Sequence, residues 1–312
     1  MLADSVETVL REELAHGDAM LGTIEPILRH LVASDDHSVF GDEIIARVRG
    51  MIADLAGQLL DEVAKAQGNE AVAQKAPEQA EALSLALAGA PNMLTHVHAL
   101  ALEWQLTERL QARHSLDPVL SPLLQALIAS TEPNVAGLAM NMLASQARFC
   151  QSQRRMKLPL GELPADLMHF ALQSLRSVAT NVPAETVAGA EAAIRGRYDE
   201  SCSRIGLISR LVVGMGAGAI AALSITHAGS AIFLSALALA SGQPRELAVL
   251  STNESQLARL ALALRAAGVK SQGVEELFLS LHPDVALPDG FERLGADRAA
   301  AILAVSGGLA GG

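Results

Sequence analysis

The sequence predicts an all-α protein built from antiparallel helical hairpins that stack side by side as an α-solenoid. Half of the 312 residues are hydrophobic but only 3% are aromatic, and cores of alanine and leucine suit closely packed helices. No segment alternates at period two with the valine, isoleucine and threonine content of a strand. Residues 211–244 carry no formal charge, and such an apolar stretch must be removed from water.

Two helices are predicted at the N-terminus. The first is capped by Asp4 or Ser5 and ends near Gly17, because glycine commonly follows the last turn of a helix. The second covers residues 19–33, and Pro26 is expected to bend it.

The third helix, at residues 42–67, lies between a polar loop at 34–38 and a linker at 68–77. Its apolar residues fall on one face at helical spacing: Ile44, Val48, Met51, Ile52, Leu55, Leu59 and Val63. This stripe must be buried against the first two helices or against a second copy of the chain. We predict that it is the dimer face of a homodimer formed through residues 1–76.

Turn residues and helix caps predict the remaining elements. The predicted helices are 78–88, 92–113, one that Asp117 and Pro118 begin, 132–155, 164–179 and 183–203, followed by an apolar central hairpin at 205–241. The last three are a helix that ends at Gly268 after a capping box at 253–256, then 271–281 and 296–305.

Three leucine- and alanine-rich segments end in glycine, at residues 83–89, 234–242 and 260–268. This recurrence favours repeated, HEAT-like hairpins over a closed bundle. The sequence therefore predicts an acidic N-terminal helical segment at 1–76 and a helical-repeat domain at 77–312.

The order of pieces in residues 231–283 carries a resemblance. A helix of small residues ends in Ser-Gly, a proline follows, and the next helix ends in Arg-Ala-Ala-Gly. This stretch, about a sixth of the chain, resembles the C-terminal part of an all-helical alpha-proteobacterial family of unknown function. The resemblance implies a bacterial protein of HEAT-like hairpins, and it implies no activity.

Charge is distributed unevenly along the chain, whose net charge is −11. Residues 1–80 hold fifteen acidic and six basic side chains, whereas residues 148–210 hold six acidic and nine basic ones. Acidity and scarce aromatic residues argue against nucleic-acid binding. The two regions could pair within one chain or between subunits.

Four cations stand together in the acidic sequence: Arg148, Arg154, Arg155 and Lys157. Arg195, Arg197, Arg204 and Arg210 extend the basic region. One interpretation is that the cations cap the carbonyls at a helix end and offset the helix dipole. The other is a binding site for an anion or for an acidic partner, including the chain's own N-terminal third.

His227 is the one titratable residue of the central apolar stretch. A buried imidazole could line a pocket and act as a base or a sensor. The alternative is a histidine at a helix end or in the hairpin turn beside Gly229. Small residues break the stretch into pieces shorter than a membrane span, which argues against a membrane segment.

The sequence contains no signature of a catalytic, metal or cofactor site. His96 and His98 are two residues apart, so their rings point to different sides of a helix. Two cysteines, Cys150 and Cys202, imply no disulfide framework and fit a reducing compartment. The N-terminus has no signal-peptide pattern, so the cytoplasm is expected.

These patterns lead to three hypotheses about function. The first is a cytoplasmic helical-repeat scaffold or adaptor that binds another protein and performs no catalysis. The second is a helical enzyme or small-molecule sensor with a pocket near His227. The third is a protein that associates with membranes through the central hairpin.

Overall fold

The computed structural model describes residues 2–33, 43–68 and 77–307, which form α-helices and 3-10 segments without any strand. The predicted all-α class is therefore confirmed for this part of the chain. The predicted loop at 34–38 and residues 69–76 of the predicted linker lie outside it. The helices are α1 Leu2–Ala33, α2 Glu43–Ala66, α3 Pro77–Ala88, α4 Met93–His114, α5 Pro122–Ile128, α6 Pro133–Arg154, α7 Ala165–Val178, α8 Ala184–Arg197, α9 Arg204–Gly214, α10 Ile225–Ser241, α11 Arg245–Leu250, α12 Leu257–Ala266, α13 Ser271–Leu281 and α14 Ala296–Gly307.

The chain forms two compact units, and each is discontinuous in sequence. Unit 1 contains Met1–Ile24, Leu102–Leu143 and Ile208–Gly312, and unit 2 contains Glu25–Ala101 and Ala144–Leu207. This division differs from the predicted one at residues 76 and 77, because unit 2 combines α2 and α3 with α7 and α8.

The N-terminal helix is a single α-helix of 32 residues rather than the two helices predicted. Gly17 does not end it. A Cβ atom at Gly17 would lie 2.9 Å from the side chain of Gln256, whose Nε2 donates to the Gly17 carbonyl at 2.6 Å. Gly17 thus allows Gln256 to approach α1 closely within unit 1. In the sequence, a glycine with this role looks the same as a glycine at a helix end.

Unit 2 is built around α2, which packs against α3, α7 and α8. The predicted apolar stripe is entirely buried by this packing: Ile44, Val48, Met51, Ile52, Leu55, Leu59 and Val63. Burying each of the larger side chains stabilises the fold by about 1.5–3 kcal/mol. The chain itself covers the predicted dimer face, so homodimerisation stays a prediction that cannot use this face.

Contacts of α2 with α7 and α8 join helices far apart in sequence. In an α-solenoid each repeat contacts only its neighbours along the chain. The predicted stacking of consecutive HEAT-like hairpins is therefore not confirmed.

Unit 1 is built around α10, which packs against α5, α11 and α12. Its residues 230–238 are all buried, as predicted for an apolar helix that is covered on all sides. Gly229, with φ of 73°, interrupts the helix after its first turn and faces Ser121 of unit 1.

The region predicted as a central hairpin, 205–241, consists of three segments. α9 ends at Gly214, the 3-10 segment Gly216–Leu223 follows at an angle of 119°, and α10 comes last. Gly229 is therefore not the turn of a hairpin. Val213 and Ile220 are 69% and 54% exposed, so the first half of the apolar stretch is only partly buried, although Leu211, Val212 and Leu223 lie in the core.

Other helix boundaries differ from prediction for local reasons. Asp117 accepts from the backbone amides of Val119 and Leu120 and so closes a turn, whereas Ser121 caps α5. α8 ends at Arg197 instead of residue 203. Asn253 makes no side-chain cap, and α12 begins at Leu257.

Candidate functional site

The candidate site is the segment after α6, which α2 holds in place through two polar side chains. Leu158 donates its N–H to Asp54 Oδ2 at 3.2 Å, and its carbonyl accepts from Gln58 Nε2 at 2.8 Å. The N–H of Leu160 donates to Gln58 Oε1 at 3.0 Å. Asp54 and Gln58 are one helical turn apart, and together they bind three backbone groups of the segment.

The end of α6 is capped by the backbone itself. Met156 has a left-handed backbone with φ of 54°. Its N–H donates to the carbonyl of Gln153 at 3.0 Å, and the N–H of Lys157 donates to the carbonyl of Ser152 at 2.9 Å. This pair of bonds is a Schellman motif. The carbonyl of Gln153 also accepts from Arg47, a buried residue of α2.

The backbone capping weakens one of the two interpretations of the basic residues. The carbonyls of Ser152 and Gln153 are bonded by backbone amides and by Arg47, so the four predicted cations are not needed to cap them. A favourable interaction with the helix dipole remains.

All four predicted cations are exposed, and we call them the basic tip: Arg148, Arg154, Arg155 and Lys157. Lys157 lies 3.4 Å from the carboxylate of Asp54. In the part of the chain that the structure describes, the other three form no ion pair. Arg148 lies on α6, Arg154 is its last residue, and Arg155 follows in the turn that ends the helix.

The arginines predicted to extend the tip have internal partners instead. Arg195 lies 4.0 Å from the carboxylate of Glu191, and Arg197 pairs with Glu62. Arg204 is buried, with its guanidinium 3.6 Å from the centre of the Phe149 ring. Arg210 belongs to unit 1.

The pairing of an acidic N-terminal third with a basic middle occurs within the chain. Asp54 contacts Lys157, and Glu62 contacts both Lys65 and Arg197. Burial acts to raise the pKa of Glu62, but hydrogen bonds from Lys65 and Arg197 outweigh it, and the pKa is lowered. Two of these contacts join the two charge regions as the sequence suggested.

Substituting glutamine for Glu62 is expected to lower the free energy of unfolding by roughly 0.5–1 kcal/mol at neutral pH, because its cationic partners are half exposed. A carboxylate with a lowered pKa stabilises the fold above its ordinary value of 4.5, and this contribution disappears as the pH falls through the lowered pKa. Urea unfolding from neutral to acidic pH measures the difference. Glu12→Gln, at an exposed position, is the control, and an equal effect of the two substitutions would contradict the assignment.

A cleft of about 310 Å³ lies beside the same segment, and we call it the turn cleft. Its lining residues are Gln58, Asp61, Glu62, Lys65, Pro159, Leu160, Gly161, Met168, Ile194, Arg197 and Tyr198. The Tyr198 hydroxyl donates to the carbonyl of Leu163 at 2.8 Å. Burial, followed by Glu200, Asp166 and Asp199, raises the pKa of Tyr198 to about 12, so the phenol stays protonated at neutral pH.

His227 lies half-buried in the first turn of α10, in unit 1. It is not among the residues that line the turn cleft. The structure therefore places the predicted pocket residue and the observed cleft in different units.

Sequence reasoning missed three polar residues of α2 that contact the end of α6 or the segment after it: Arg47, Asp54 and Gln58. They recur at intervals of seven and four residues beside the apolar stripe, a spacing that places them on one side of the helix. That polar row is the signal that could have identified them.

Within the described residues, no group of three or more His, Cys, Asp or Glu side chains is arranged to hold a metal ion. No single helix in that part is long and apolar enough to cross a membrane, although α9 and the 3-10 segment Gly216–Leu223 meet the criterion as one bent pair.

No family model matches the chain, and no curated protein or solved structure matches it either. The resemblance of residues 231–283 to an alpha-proteobacterial helical family therefore stays a prediction.

Proposed function

We propose that the protein is a helical adaptor that binds an acidic segment of another protein through the basic tip. The observation that carries this proposal is that Arg148, Arg154 and Arg155 are exposed without an ion-pair partner in the described residues, while two carbonyls at the end of α6, those of Ser152 and Gln153, are bonded by other groups. Cations that neither cap the helix nor neutralise a neighbour are available to an anionic ligand.

The structure of unit 2 favours a surface of fixed shape at this place. Asp54 and Gln58 bind the backbone on the far side of the Schellman motif, and Gln153 Nε2 contacts Met51 Sδ at 3.2 Å. A rigid support reduces the ordering cost of binding. Rim charges of this kind contribute orientation and association rate more than affinity.

The proposal includes a cytoplasmic location and a helical-repeat architecture. Cys150 is buried and Cys202 is exposed, and both are free thiols, as expected in a reducing cytoplasm. The HEAT-like arrangement of hairpins is retained as a hypothesis about the fold, and the proposal does not depend on it.

Simultaneous substitution of alanine for Arg148, Arg154 and Arg155 is expected to weaken binding of a short fluorescein-labelled polyglutamate peptide about tenfold. Three exposed charges that contribute roughly 0.5 kcal/mol each produce a change of this size. Fluorescence anisotropy at an ionic strength of about 0.15 M measures the affinity, which should fall further as salt is added.

The matched control replaces Arg11, Arg29 and Arg293 by alanine, which removes the same charge from exposed arginines paired with neighbouring carboxylates. This triple variant should bind the peptide as the wild type does. Equal weakening in both triple variants would show a response to net charge alone, and it would overturn the proposal, as would unchanged binding by the first variant.

A further inference from the structure

A second group of cations lies in unit 1, independent of the basic tip. It consists of Arg109, Arg113 and His282, with one carboxylate, Glu254, in electrostatic contact, and we call it the Arg109 cluster. α4 supplies the two arginines one helical turn apart, so they are neighbours on its surface. His282 follows α13, and Glu254 lies between α11 and α12.

Most of the cluster has an evident structural role. Arg113 Nη1 donates to the carbonyl of Leu281 at 3.3 Å, and the neighbouring His114 ring lies 3.2 Å from the carbonyl of Ser280, so both satisfy the end of α13. His282 is buried, and its Nε2 lies 3.0 Å from the carbonyl of Thr252. That oxygen can only accept, so Nε2 carries a hydrogen.

Arg109 has no such role. Its Nε atom is buried and makes no hydrogen bond in the described part of the chain, and there its guanidinium forms no ion pair. A buried donor without an acceptor is costly, and native structures rarely retain one without a reason.

The surroundings disfavour positive charge on Arg109. Burial lowers its pKa, the neighbouring Arg113 lowers it further, and Glu254 opposes both. The pKa of His282 is lowered for the same reasons, first by burial, with both arginines adding to the effect. Glu254 is exposed and forms no ion pair with these groups among the described residues.

We propose that Arg109 and Arg113 bind a small oxyanion, a carboxylate or a phosphate group, at the Arg109 cluster. A guanidinium presents five N–H donors in a planar fork that matches the oxygens of either group. Arg113 uses one donor on Leu281 and Arg109 uses none that the structure describes, so several donors remain for a ligand. A bound anion offsets the repulsion between the half-buried Arg109 and the exposed Arg113.

The test is the thermal unfolding of the full chain in sodium phosphate, sulfate, acetate and chloride at constant ionic strength. We expect a saturable rise of about 2–4 °C in the midpoint at an anion concentration ten times the dissociation constant. Chloride should produce none. Absence of a saturable rise with every oxyanion in the millimolar range would overturn the proposal.

Two substitutions assign the effect to the site. Arg109→Met removes a disfavoured charge, so this variant should unfold at a higher temperature than the wild type without anion and should lose the anion-dependent rise. Arg11→Met, at an exposed position of unit 1, should retain it. If the anion stabilises Arg109→Met as much as the wild type, the site is elsewhere.

Arg109→Lys keeps the charge without the planar fork, and it reports on the site even if Arg109→Met does not fold. We expect this variant to bind the oxyanion about tenfold more weakly, and equal affinity would contradict the assignment of the guanidinium as the ligand. Stabilisation by acetate alone identifies a carboxylate site. Stabilisation by phosphate and by glycerol phosphate alike identifies a site for a phosphate group of an organic molecule.

Discussion

Substituting alanine for Glu103 is expected to lower the free energy of unfolding by about 3–5 kcal/mol. Glu103 is completely buried in unit 1, and its Oε2 lies 2.9 Å from Arg245 Nη2. The Arg245 side chain is itself only 11% exposed, and its Nε donates to Ser235 Oγ at 2.9 Å. Removing the carboxylate leaves a guanidinium without its counter-charge in the core, which urea or thermal unfolding will measure.

A second substitution separates the missing counter-charge from the missing volume. Replacing both Glu103 by leucine and Arg245 by methionine removes both charges and fills the space, so this variant should regain most of the lost stability. A double variant no more stable than Glu103→Ala would show that the loss comes from packing. A loss below about 1 kcal/mol in Glu103→Ala would contradict the assignment of this ion pair as a buried one.

The sequence predicted helices well where two independent signals agreed. α2 and α13 combine an apolar period with polar or glycine residues at their ends, and their observed limits lie within a residue of those predicted. A single signal was ambiguous. Gly17 resembles a helix end although it serves a close contact, and Asp117 resembles a helix cap although it closes a turn.

The candidate site also has a part that the sequence could predict and a part that it could not. The basic tip could be predicted because its cations are close together in sequence. The polar contacts that fix its position could not, since Gln58 and Leu158 are 100 residues apart. Arg113 and Leu281, in the Arg109 cluster, are 168 residues apart, and no local pattern indicates such a contact.

The charge-free stretch shows why composition alone was insufficient. Residues 230–238 are buried as predicted, whereas Val213 and Ile220 are exposed on α9 and on the 3-10 segment. Both halves are equally free of charge, so only the tertiary packing of α10 against α5, α11 and α12 distinguishes them.

Substituting alanine for Gly50 is expected to destabilise unit 2 by about 1–3 kcal/mol, because it overpacks the contact between α2 and the end of α6. A Cβ atom at Gly50 would lie 2.7 Å from Met156 Cβ and 2.9 Å from its carbonyl oxygen. Met156 already has φ of 54° in the Schellman motif, so its backbone has little freedom to move away. Urea unfolding measures the effect.

Gly57 provides the matched control on the same helix, two turns further along. A Cβ atom there would meet no other atom within 4 Å, so Gly57→Ala should instead stabilise the protein by about 0.5–1 kcal/mol. Opposite signs for the two substitutions would establish that α2 positions the basic tip by direct contact at Met156. In that case Gly50→Ala, but not Gly57→Ala, should also weaken binding of the polyglutamate peptide, because displacement of Met156 moves Arg155 and Lys157 with it. If both substitutions stabilise the protein, α2 and the end of α6 do not pack as described.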